Sequence, residues 1–170
     1  MANWYVLLVG AVAVERLAEL VVARRNLAWS LQRGGVEFGA SHYPVMVVLH
    51  VGLLVGCVAE VLLLNRPFIP ALGWSMLAVL IAAQALRWWC ITTLGPRWNT
   101  RVLVIPGAPR VNSGPYRLIP HPNYVAVVAE GIALPLVHSA WITALTFTVL
   151  NAMLLSRRIS VENSALARLS

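Results

Sequence analysis

Between Pro44 and Leu64 the one charged side chain is Glu60, and between Ala71 and Leu94 it is Arg87. Apolar runs of this length leave few choices. Each reaches about 30 Å as a helix at ~1.5 Å per residue, and lipid cannot satisfy open backbone amides, so each is expected to be a membrane-spanning helix. A run from Trp4 to Val22 is long enough as well, although Glu15, Arg16 and Glu19 interrupt it. It lacks the basic start and small-residue cleavage site of a removable leader. With 59% of its residues hydrophobic, the chain holds more apolar side chain than a globule of this size can bury.

The pattern changes at Gly95. From there to Pro122 six prolines occur without a sustained helical period, which predicts turns and irregular loop rather than helix. Two shorter apolar runs, Tyr124 to Leu136 and Trp141 to Leu155, follow and predict a helical hairpin, and a polar tail closes the chain. The expected fold is therefore all-α: a polytopic integral membrane protein of about five transmembrane helices, three spans plus the hairpin. It forms one membrane domain over 1–170, divided into 1–94 and 95–170.

Charge orients this plan. The net charge of +7 comes from arginine alone. Arg24, Arg25 and Arg33 follow the first run, Arg97, Arg101, Arg110 and Arg117 occupy the long loop, and Arg157, Arg158 and Arg168 lie in the tail, whereas Arg66 stands alone in the second connection. The positive-inside rule then places the N-terminus outside and the long loop and tail in the cytoplasm. Interfacial arginines of this kind meet lipid headgroups, and no nucleic-acid partner is expected. Cys57 and Cys90 lie inside apolar runs without CxxC spacing, so neither a disulfide framework nor a metal site is expected.

Three constellations could carry chemistry. In the loop, prolines flank His121, holding it at the mouth of the following helix with Tyr116 and Tyr124 nearby. Such residues also populate the headgroup belt of ordinary membrane proteins. In the last run and tail, Asn151, Leu155, Arg158 and Glu162 share one helical face, a stripe too polar for lipid. Within the spans, Glu15 and Glu19, Gln84 and Arg87, and His42 and His50 fall one or two turns apart, as interhelical glue or as cavity lining. Glu60 and Glu130 are further carboxylates in apolar runs with no chemistry assigned. Nucleotide-binding glycine loops, HExxH and GxSxG are absent.

The stretch GPYRLIPHPNY resembles the glycine, tyrosine and histidine-proline signature of the isoprenylcysteine carboxyl methyltransferase family of integral membrane enzymes, and RISVENSAL resembles that family's C-terminal motif. The resemblance covers roughly residues 95–169. It implies a catalytic half that binds S-adenosyl-L-methionine, with Val111, Tyr116, His121, Pro122, Asn123, Tyr124 and Glu162 holding the cofactor. Arg158 and Glu162 would be catalytic, and Arg158, Asn151, His50 and Glu15 would meet the acceptor, with His50, Glu15 or Glu19 receiving its proton. ERLAELVVARRN, RGGVEFG and HYP are similar to a bacterial branch found with type III polyketide synthases, which implies a long-chain alkylresorcinol or alkylpyrone as lipophilic acceptor, in the inner membrane. A prenylcysteine carboxylate, a phospholipid amine, an NADPH-dependent reductase and a non-enzymatic scaffold are the alternatives. The chain departs from the family at Pro120, where an arginine is usual, and at Asn163, where a second acid is usual.

Overall fold

The computed structural model describes residues 3–169. Five helices dominate it: α1 (Asn3–Leu31), α2 (His42–Leu63), α3 (Pro70–Leu94), α4 (Pro122–Leu136) and α5 (Trp141–Leu169). By length and composition α2 is apolar enough to cross a bilayer, as is α3 with the 3-10 turn that follows it, and α4 is a shorter apolar helix. The outward faces agree: Leu7, Val14, Val48, Val55, Ile81 and Leu145 are all exposed, a surface that suits lipid rather than water.

Two helices outrun their apolar stretches. α1 continues past Val22 through Arg24 and Arg25 because nothing breaks it before Gly34 and Gly35. There Gly34, at φ +76°, and the bond from Gly35 N to Ser30 O close its end. α5 likewise runs unbroken from Trp141 through the polar tail. The all-α fold carries one short non-helical addition. Val36–Phe38 (β1) and Val102–Val104 (β2) pair antiparallel, with Glu37 opposite Leu103. Arg101 ties this ribbon to α2, donating to Glu37 at 2.8 Å and lying over the Tyr43 ring at 4.2 Å.

The core lies between all five helices, with Leu80 as the α3 contribution, and Tyr5, Cys57, Leu134 and Val137 are fully buried in it. Tyr5 donates to the Leu134 carbonyl at 2.9 Å. Glu60 joins α2 to the start of α5 at this end. From the last turn of α2 it accepts the α5 amides of Ile142 at 3.1 Å and Thr143 at 2.7 Å, the Thr143 hydroxyl at 2.7 Å and the Arg66 Nε at 3.0 Å. A carboxylate from one helix thus caps the positive end of another. Glu60→Ala should cost about 1–3 kcal/mol of stability through those orphaned donors. Thermal unfolding in detergent should show the drop, with ligand affinity per folded molecule unchanged, since Glu60 does not line the cavity beneath the long loop.

Candidate functional site

The long loop is seated by backbone recognition on α1. Asn26 donates to the carbonyls of Gly95 (3.1 Å) and Trp98 (2.7 Å), and Asn99 returns a bond to Ala23 O at 3.0 Å. The buried Trp98 ring packs beside Ala23 and Ile91. Further along, Gly114 takes φ +54°, and a Cβ there would lie 2.5 Å from Thr93 Oγ1, so only glycine lets the loop press this closely on α3. That contact sets Tyr116 beside Cys90, with which its hydroxyl shares a hydrogen bond. Burial pushes the Tyr116 pKa further up, so the group stays a neutral hydroxyl.

Beneath the loop lies a cavity of about 770 Å³. His121 caps α4, and its ring stacks on Tyr124 with centroids 5.5 Å apart. The Tyr124 hydroxyl donates to Glu162 Oε2 at 2.6 Å, and His121 Nδ1 stands 3.8 Å from the same oxygen. One turn away on α5, Arg158 is 6% exposed; Nη2 donates to Thr100 O at 2.8 Å, Nη1 meets the Met46 sulfur, and Nε has no partner. Arg158 and Glu162 form no ion pair with each other. Asn123 Oδ1 and Asn151 Oδ1, both buried, also lack partners. Asn123, Asn151 and Arg158, residues with such unsatisfied polar atoms, all line this one cavity, which together with its polar mouth makes it the candidate binding site.

Val111, Tyr116, His121, Asn123, Tyr124, Glu162, Arg158, Asn151 and His50 all line this cavity. Two expected site residues are placed elsewhere. Pro122 is fully buried as the first residue of α4, where its fixed φ starts the helix, and it does not line the cavity. Glu15 does not line it either: it accepts from Gln84 Nε2 and from Trp88 Nε1 at 2.6 Å. Four loop arginines, Arg97, Arg101, Arg110 and Arg117, do line it, placing cations in a site where Pro120 supplies none. The deep end holds Arg16, Glu19 and Arg87, paired to one another and to Glu130. Met46 and the Thr100 carbonyl were not foreseeable, because an unbranched apolar side chain and a backbone oxygen leave no signal in a sequence.

A membrane helical bundle whose C-terminal loop and tail close over one polar-mouthed cavity defines a class, and the comparisons supply the family. The model of the isoprenylcysteine carboxyl methyltransferase (ICMT) family matches residues 76–168. The chain is 41% identical over 96% of its length to the uncharacterized protein YpbQ of Bacillus subtilis (strain 168), covering 97% of that relative. It is 26% identical over 91% of its length to an uncharacterized protein of Haemophilus influenzae, covering 90% of it. No solved structure matches. The chain belongs to the isoprenylcysteine carboxyl methyltransferase family and is a membrane methyltransferase.

Proposed function

We propose that the protein moves a methyl group from S-adenosyl-L-methionine to an oxygen of a lipophilic acceptor, a long-chain alkylresorcinol or alkylpyrone. The observation that carries this reading is the convergence of His121, from the loop, with Arg158 and Glu162, from the tail, on one cavity with unsatisfied buried atoms. The cofactor fits that donor set: Tyr116, His121, Asn123, Tyr124, Glu162 and the backbone near Val111 would hold its polar ends. When bound it supplies a methyl on a positively charged sulfur. Pro122 serves indirectly, by fixing the start of α4. Arg158 faces the acceptor oxygen and favours its anion, and Asn151 and His50 complete that wall. The loop excludes water above the reacting atoms.

Leu17 of α1 and Val51 of α2 both line the cavity and are 62% and 54% exposed, which supports a sideways opening between these helices. A long alkyl tail enters there from lipid. The fuller topology belongs to the same proposal: α1 to α5 as five membrane elements of one domain, the N-terminus outside, and the loop and tail in the cytoplasm, at the inner membrane of a bacterium. An acceptor of this kind also links the enzyme to a type III polyketide synthase as its source.

Purified protein should give heat with S-adenosylhomocysteine and none with NADPH in a calorimetric titration. With labelled cofactor and a lipid extract, label should enter a long-chain phenol or pyrone. Saturation at about 100 times Kd should raise stability by ~2.7 kcal/mol, visible as a higher Tm. Absence of both heat and label would remove the reading. Label appearing instead in a prenylcysteine ester or a phospholipid amine would replace the acceptor.

A further inference from the structure

His50 sits on α2 one turn beyond Met46, with its Nδ1 2.8 Å from the Met46 carbonyl oxygen. A carbonyl can only accept, so the proton of the neutral ring is on Nδ1 and the lone pair is on Nε2. Nε2 has no hydrogen-bond partner among the described residues, and the ring lines the cavity. Phe147 holds its plane from α5, with centroids 5.4 Å apart and planes at 85°. The tautomer and the orientation are therefore both set by the protein.

Its neighbours order the wall. Arg158 Nη1 touches the Met46 side chain, so guanidinium and imidazole lie about one helical turn, ~6 Å, apart along α2. On α5, Asn151 follows Phe147 by one turn and lines the same cavity. The carboxylates that could compete are ion-paired or lie elsewhere. Glu15 lies outside the cavity, Glu19 accepts from Arg16 at 2.7 Å through Oε2 while its Oε1, without a hydrogen bond, lies 3.6 Å from Arg87 Nε, Glu130 is bound by Arg87 and Arg16, and Glu162 takes the Tyr124 hydroxyl. The charged groups around His50 are thus Arg16 and Glu19 on α1, Arg87 on α3, Glu130 on α4 and Arg158 on α5.

We infer that His50 Nε2 is the general base of the reaction and that the acceptor arrives as a neutral, weakly acidic hydroxyl, a phenol rather than a carboxylate. This rests on the methyl-transfer reading above. The acceptor O–H bond breaks and its proton goes to Nε2. The oxygen's electron pair forms the bond to methyl, and the methyl–sulfur bond breaks with its pair left on sulfur. One positive charge disappears from the sulfonium and one appears on the imidazolium, so the buried site never carries an added charge. A carboxylate acceptor has no proton to give and would leave such a base idle.

Two acceptors with the same alkyl tail separate these cases. A resorcinol hydroxyl titrates near a tyrosine, at about 10, whereas a 4-hydroxy-2-pyrone is a vinylogous acid already ionised at neutral pH. His50→Asn keeps an N–H for the Met46 carbonyl and removes the Nε2 lone pair; His50→Gln places an amide there instead. Both variants should lose about 100-fold or more of kcat on the resorcinol together with the acid limb of its pH profile. The loss on the pyrone should be far smaller, and the Kd for S-adenosylhomocysteine should stay at the native value. Equal losses on both acceptors, or a resorcinol rate retained in both variants, would overturn the assignment. A native enzyme that methylates neither acceptor while still binding S-adenosylhomocysteine would overturn the acceptor class itself, and the base with it.

Discussion

Glu162→Ala is expected to weaken binding of S-adenosylhomocysteine by at least about 100-fold, two effects of ~1.5–3 kcal/mol each acting together. The first is the loss of a carboxylate that would accept from the ligand. The second is internal: the Tyr124 hydroxyl, now bonded to Glu162 at 2.6 Å, is left without its acceptor in a largely buried position. Tyr124 in turn supports the His121 ring stacked on it, so one deletion loosens the loop side of the pocket as well as the tail side. His121→Ala should follow the same direction. Glu162→Gln keeps an oxygen for Tyr124 and removes the charge, and should fall between native and alanine. Arg157, adjacent in sequence to Arg158 but exposed, is the control; Arg157→Ala should bind as the native protein does. Calorimetric titration reads all four, and native affinity in both alanine variants of the site would dissolve the assignment.

Much of this pocket could be read from the chain because its parts obey short-range rules. Prolines around His121 and a helical spacing through Asn151, Leu155, Arg158 and Glu162 fix local shape without help from distant residues. The family resemblance then joined the two segments, and the cavity has them facing each other. What could not be read depends on partners far along the chain. The β1–β2 ribbon pairs Val36–Phe38 with Val102–Val104, segments too short to carry a period and separated by two helices. Glu60 looks like a misplaced charge in α2 until Ile142 and Thr143 bring it their amides. Glu15 shares its nominal face with Glu19, yet Gln84 and Trp88 draw it away from the cavity, and a single-helix argument has no knowledge of either. His50 was one of three open candidates for a proton acceptor; the Met46 carbonyl, a backbone group, is what distinguishes it.

Arg87→Met should be the most destabilising single change in the bundle, at about 3–5 kcal/mol, because it leaves buried carboxylates without their cation. Arg87 is 4% exposed and Glu130 3%, and the two share a direct hydrogen bond. Arg87 also lies 3.6 Å from Glu19, while Arg16 reaches Glu19 at 2.7 Å and Glu130 at 3.4 Å. Two arginines therefore face three carboxylates, counting Glu15, which Arg16 approaches at 3.8 Å. Removing Arg87 alone sets Arg16 against all three. Removing Glu130 as well restores the native charge difference, so Arg87→Met with Glu130→Leu should unfold later than Arg87→Met by itself, with a coupling of about 1–3 kcal/mol. Equilibrium unfolding in mixed micelles measures the cycle, and strictly additive losses would mean that the pair is not one electrostatic unit. Because Arg87 and Arg16 line the deep end of the cavity, the double variant serves a second purpose. If it folds and still binds S-adenosylhomocysteine but methylates poorly, the cluster positions the acceptor's head group in addition to holding α1, α3 and α4 together.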